Sequence, residues 1–175
     1  MSNETVVVVT AVGQDGPGIV AALAKVVFEL GGNLDDATMT RLHGAFAAMV
    51  AARLPAGMSE SAAREALAGL AAERKLTVTV QSVSDAHAET LPDTLLTVYG
   101  ADKPGIVYHI AAALALRGVN ITDMDTRLTG TLDAPVYVML LELVAGDVDL
   151  AEEMATLKAS LGVDMTVSAL SPEAL

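Results

Sequence analysis

The chain has no cysteine, which removes disulfides, CxxC redox chemistry and thiolate metal sites and allows a reducing compartment. Cations are scarce too. Ten Lys and Arg stand against 22 Asp and Glu, a formal net charge of -12, and the only adjacent basic pair is Arg74-Lys75. Nucleic acid and anionic lipid both bind through clustered cations, so neither direct nucleic-acid binding nor membrane binding is expected. The opening Met1-Ser-Asn-Glu-Thr lacks the basic start of a signal peptide. The longest apolar span, Ile106 to Leu116, carries His109 and falls short of the roughly 20 residues a bilayer crossing needs. A soluble, cytoplasmic protein is the expectation. Catalytic constellations are missing as well: there is no Gly-x-Ser-x-Gly elbow and no carboxylate pair with an evident role. His43, His87 and His109 lie too far apart for metal-ligand spacing, and His43 reads as a hairpin residue. No metal, no cofactor and no enzymatic activity are expected.

What is present is apolar material, 53% hydrophobic against 18% charged, enough for packed cores and too much for a disordered chain. It is arranged twice. Gly13, Pro17, Gly31 and Asn33 recur as Gly100, Pro104, Gly118 and Asn120 at one constant offset, close to half the chain. Thr40-Arg41-Leu42 then meets Thr126-Arg127-Leu128 after a slip of one residue, as loops and hairpins allow. The expected organisation is residues 1–83, a polar linker over 84–93, and residues 94–175.

In the first copy Thr5 to Val12 reads as a buried strand, β-branched on both faces at Val6 to Val9. Ile19, Val20, Leu23, Val26, Val27 and Leu30 form a helical stripe ended by Gly31-Gly32. Asn33 to Leu42 suits an exposed edge strand, His43-Gly44 a turn, and Ala45 to Leu54 a further strand. Ser59 starts a second helix with Leu67 and Leu70 inward, and Leu76 to Gln81 alternates as a last strand. The second copy repeats the order: Thr94 to Tyr99, helix Pro104 to Arg117, strands Val119 to Leu128 and Pro135 to Val144, helix Asp149 to Leu161, strand Val163 to Ala169. Asp149 with Glu152 has the spacing of a capping box. Each copy is thus a ferredoxin-like βαββαβ module of the α+β class, an antiparallel sheet with both helices on one face. Because the strands are apolar on both faces, the bare face needs a cover, by sheet-to-sheet packing between modules or between chains, and a homo-oligomer, a dimer, is expected.

The first turn of each module carries the chemistry: Gly13-Gln-Asp15-Gly16-Pro17-Gly18-Ile-Val and Gly100-Ala-Asp102-Lys103-Pro104-Gly105-Ile-Val. The helix is expected to open at Pro, which suits a first turn, with Asp15 or Asp102 capping its orphan amides. Equally, the glycines leave those amides open to a small carboxylate or phosphate. Residue types alone favour neither reading. A nucleotide loop is excluded, since Ile19-Val20 stands where Lys-Ser/Thr belongs. Asn33 and Asn120 read either as turn residues or as ligand contacts, and Asn120 is expected beside Gly105.

A βαββαβ module with Gly-x-Asp-x-Pro-Gly-Ile-Val at its first turn and Gly-x-Asn at its second strand resembles an ACT domain, the small-molecule sensor of amino-acid metabolism. The resemblance covers nearly the whole chain, and the tandem arrangement is similar to the glycine cleavage system transcriptional repressor group. It implies an amino acid, glycine or serine, bound where a first loop meets a neighbouring edge strand. Carried over, the contacts are Gly13, Asp15, Gly18 and Asn33 in one copy and Gly100, Asp102, Gly105 and Asn120 in the other. Lys103, a cation where Gly16 stands in the first copy, adds a partner for the ligand carboxylate. The function implied is a non-enzymatic regulatory protein, acting on transcription through a protein partner. The alternatives are a ligand-free interaction module and a regulatory subunit of an amino-acid metabolic enzyme.

Overall fold

The structure, a computed structural model, describes residues 4–83, 90–131 and 134–170. It divides into two compact units, Met1–His87 and Ala88–Leu175. Residues 84–89 of the expected linker, His87 among them, lie outside the described residues.

The first unit runs β1 (Thr5–Gln14), α1 (Ile19–Glu29), β2 (Asn33–Leu42), β3 (Ala45–Leu54), α2 (Glu60–Arg74) and β4 (Leu76–Val83), with sheet order β2-β3-β1-β4, antiparallel throughout. Alternation along β1 sends Val7, Val9 and Ala11 into the core with Phe46, Ala48 and Val50 of β3. Ile19, Leu23 and Val27 of α1 and Ala63, Leu67 and Leu70 of α2 join the same core, so both helices cover one face. The other face presents Val6, Val8, Val12 and Met49, the last 50% exposed. His43 and Gly44 turn the β2–β3 hairpin with φ of 48° and 82°, the paired positive φ that a tight hairpin of matching twist demands.

The second unit repeats this as β5 (Thr94–Gly100), α3 (Ile106–Leu116), β6 (Asn120–Thr131), β7 (Ala134–Val144), α4 (Ala151–Leu161) and β8 (Val163–Ala169), with order β6-β7-β5-β8. Leu96, Val98, Ile110, Leu114, Met139, Leu141 and Leu143 form its core. Both units are the ferredoxin-like modules expected.

Local differences from expectation are concentrated at helix starts. Pro17 and Pro104 do not open the helices; they precede Gly18 and Gly105, which serve as N-caps with φ of 86° and 95°. A left-handed residue cannot continue a right-handed helix, so α1 and α3 begin only after the glycines, at Ile19 and Ile106. Ser59 caps α2, accepting the Ala62 amide at 3.2 Å. Asp149 accepts the Ala151 amide at 2.9 Å, but Leu150 holds the N-cap position and Glu152 makes no reciprocal bond among the described residues, so the capping box is half formed.

The polar run before β5 ends in a clasp. The Asp93 amide donates to the Leu143 carbonyl at 2.9 Å, and its own carbonyl accepts the Leu170 amide at 2.8 Å. Its carboxylate accepts from the Ala145 and Gly146 amides at 3.0 and 2.8 Å and from the Thr94 hydroxyl at 2.7 Å.

Candidate functional site

The first loop of each unit leaves the middle of the sheet and crosses to the helix layer. A Cβ on Gly13 would lie 2.7 Å from Leu76 Cδ2 and 2.9 Å from the Lys75 carbonyl; one on Gly100 would lie 3.0 Å from Val163 Cγ1. Those glycines admit the start of the last strand, a packing role that needs no ligand.

Neither aspartate caps its helix. The Asp15 carboxylate instead meets Arg41 of β2 at 3.1 Å, while its amide donates to the Gly44 carbonyl at 3.2 Å. Arg127, the counterpart of Arg41, turns to Asp125 of its own strand at 2.9 Å. Asp102 is thus left without a cation at ion-pair distance among the described residues. It borders a cleft of about 440 Å³ lined also by Lys103, Gly105, Ile106, Val107, Tyr108 and Tyr137. Burial pushes the Tyr137 phenol above its ordinary pKa, against a hydrogen bond from Thr126, and the Asp102 charge acts in the same upward direction. The phenol is therefore a neutral donor at physiological pH, and it reaches Met139 Sδ at 3.8 Å. The corresponding residue of the first unit, opposite Gly13 in register, is Phe46.

Lys103 does not point a free ammonium at this cleft. Its Nζ donates to the Leu161 carbonyl at 2.9 Å, at the end of α4, where unpaired carbonyls and the helix dipole favour a cation. In the first unit the bond runs the other way: Arg74 Nη1, at the end of α2, donates to the Pro17 carbonyl of the loop at 3.1 Å.

The asparagines do not join their own loops. Asn120 is opposite Val144 and Gly100 opposite Tyr137, seven residues apart along β7 and so separated by roughly 20 Å. Asn33, opposite Arg53, is equally far from Gly13, opposite Phe46. The expected neighbourhood of Asn120 and Gly105 is incorrect because α3, starting where β5 ends, carries the chain back to the end of the sheet where β5 began. Asn33 bonds locally instead, Nδ2 to Asp35 Oδ1 at 3.2 Å.

The structure therefore brings together Asp102, Lys103 and Gly105 in the second unit, and Asp15 and Gly18 in the first, and excludes both asparagines from each loop. Sequence reading missed Arg41, Arg74, Tyr108 and Tyr137. The repeated Thr-Arg-Leu could have flagged Arg41, while Tyr137 was hidden in a strand read as core. Among the described residues no cluster of His, Cys, Asp or Glu could hold a metal ion, and no helix is long and apolar enough to cross a membrane.

Residues 5–81 match the family model of the ACT domain. A UPF0237 protein of Methanopyrus kandleri is 41% identical over 76 residues, 42% of this chain and 82% of that protein. Among solved structures, an unknown protein from Galdieria sulphuraria superposes with a TM-score of 0.78 at 23% identity over 97% of this chain and 100% of that one. A candidate glycine cleavage system transcriptional repressor superposes with a TM-score of 0.69 at 18% identity over 97% and 99%. At these identities the two structures establish the fold.

Proposed function

The chain belongs to the ACT-domain family, and from that premise we propose that it is a non-enzymatic regulator that binds a small amino acid at the first loop of its second module. One observation carries the choice of module: Asp102 has no ion-pair partner among the described residues and borders a cleft, whereas Asp15 is occupied by Arg41. An unpaired carboxylate suits an ammonium group. On the same cleft, the first amides of α3 lack intrahelical partners and suit a carboxylate. A zwitterion satisfies both, with glycine and serine the first candidates. Asn33 and Asn120 stand outside this arrangement and take part only where a second copy brings its edge strand to the loop.

The signal passes to a protein partner and through it to transcription, in the manner suggested by the likeness to the candidate glycine cleavage repressor. A net charge of -12 leaves DNA contact to that partner, and the cytoplasm is the place of action. Binding shifts partner affinity only as far as the ligand distinguishes two states of the regulator. The test is a thermal-shift screen against the twenty amino acids, since a saturating ligand raises stability by about RT ln([L]/Kd). No shift with any of them at millimolar concentration would reduce the protein to a ligand-free interaction module.

A further inference from the structure

The last strands of the two sheets hold the same place and have different edges. In the first unit α2 reaches over β4: Arg64 Nη2 donates to the Val80 carbonyl at 3.0 Å, and Glu60 Oε2 accepts the Ser82 amide at 2.9 Å. The two side chains also pair with each other across one helical turn. Together they satisfy backbone groups that β4 turns away from β1. The matching residues of β8 are Val167 and Ala169, since they oppose Leu96 and Thr94 as Val80 and Ser82 oppose Val9 and Val7.

Among the described residues no such clamp lies over β8. Helix α2 has 15 residues and α4 has 11, and what α4 lacks is the first turn. It begins at Ala151, where α2 carries Arg64, and Asp147, in the place of Glu60, precedes the helix. The Leu170 amide bonds inward to Asp93, so by alternation Met165, Val167 and Ala169 turn N–H and C=O outward. No side chain bonds them among the described residues, and Thr166 to Ala169 are exposed.

We propose that this open edge docks β8 of a second copy of the chain, antiparallel about a two-fold axis at Thr166. In that register Met165 meets the partner's Val167 and Val163 the partner's Ala169, so outward donors meet outward acceptors on both sides. On the bare face Thr166 meets its own counterpart and Asp164 meets the partner's Ser168. No charge opposes a like charge, and Asp164 is already neutralised by Lys158 at 2.7 Å. The strand is uninterrupted. By contrast, the edges at β2 and β6 are broken by register shifts at Leu34/Asp36 and Ile121/Asp123, the usual device against edge pairing. Self-complementarity of hydrogen bonds and charge is what selects a second copy over a foreign strand.

Sedimentation of the full chain, combined with hydrogen exchange at Met165, Val167 and Ala169, tests this. The expected result is a concentration-dependent dimer whose formation slows those three amides. Thr166→Lys and Thr166→Glu each place like charges opposite one another and weaken the dimer about fivefold or more. Mixing the two variants restores wild-type affinity or better, which a folding defect would not do. A monomeric wild type, a dimer with those amides unprotected, or variants that associate as the wild type does would overturn the proposal. Slowing of the three amides only on addition of another protein would overturn it in favour of a foreign strand.

Discussion

The two first loops are tied to the same helix end by cations standing on opposite sides of the contact. Arg74 reaches from α2 to the Pro17 carbonyl; Lys103 reaches from the loop to the Leu161 carbonyl of α4. Gly16 corresponds to Lys103 and Arg74 to Leu161, so each module has one cation and one blank, exchanged. The tether is the shared feature, and the residue that supplies it is free to move. The lesson is that a charge beside a ligand-like loop can be spent on holding the loop. What separates the two loops is the aspartate, paired with Arg41 in one and without an ion-pair partner among the described residues in the other.

The largest expected effect breaks that difference. Asp102→Asn should weaken amino-acid binding roughly ten- to hundredfold, the equivalent of ~1.5–3 kcal/mol for a charge-assisted hydrogen bond, whereas Asp15→Asn should leave affinity unchanged. Calorimetric titration reads both. Arg41→Ala sharpens the comparison: a second binding event of similar strength would make the Asp15–Arg41 pair the whole distinction between the loops.

Next comes the helix end itself. Lys75 and Gly162 occupy the same C-cap position with φ of 54° and 64°. A left-handed conformation costs a residue with a Cβ about 1–2 kcal/mol. Lys75→Gly should therefore stabilise the first unit by about 1 kcal/mol, and Gly162→Ala should destabilise the second by about that or more. The alanine Cβ would also come within 2.9 Å of Lys103 Nζ, displacing the tether. Urea unfolding of each variant gives the two signs.

A smaller effect tests the exchange directly. Arg74→Leu should cost the first unit about 0.5–1 kcal/mol, the net worth of a partly exposed hydrogen bond. Adding Gly16→Lys should return much of it by rebuilding the second unit's version. If the double variant is no more stable than the single one in urea, the two tethers are not equivalent.

The repeat, the helix stripes and the His43-Gly44 turn depend on neighbours a few positions away, and the modules follow from them. The partner of Asp15 is 26 positions distant and that of Pro17 is 57, so no local pattern announces either. Asn120 was misplaced by overlooking that a helix between two strands returns the chain to its starting end. Asp93 sat in a polar run that read as linker, and its three carboxylate bonds come from the neighbouring Thr94 hydroxyl and from two amides of the loop after β7, more than 50 positions away.

The smallest expected effect concerns acid, and it sets the Asp93 clasp against the Glu60 clamp. Backbone amides of Ala145 and Gly146, then the Thr94 hydroxyl, hold the Asp93 carboxyl below its ordinary pKa; the Ser82 amide, helped by Arg64, does the same for Glu60. A carboxyl depressed in the folded state binds its proton more readily when unfolded. Its contribution is complete above the unfolded pKa and is lost as pH falls through the lower folded one. Both units should therefore lose stability below the ordinary carboxylate range, each through its own residue. All three tyrosines, Tyr99, Tyr108 and Tyr137, lie in the second unit, so their fluorescence reports that unit alone. Asp93→Asn should lower tyrosine-detected stability at neutral pH and flatten its decline in acid. Glu60→Gln should leave the tyrosine signal as in the wild type and alter only the total dichroism. If Glu60→Gln moves the tyrosine transition as far as Asp93→Asn does, the two units unfold as one, and each stability change belongs to the whole chain.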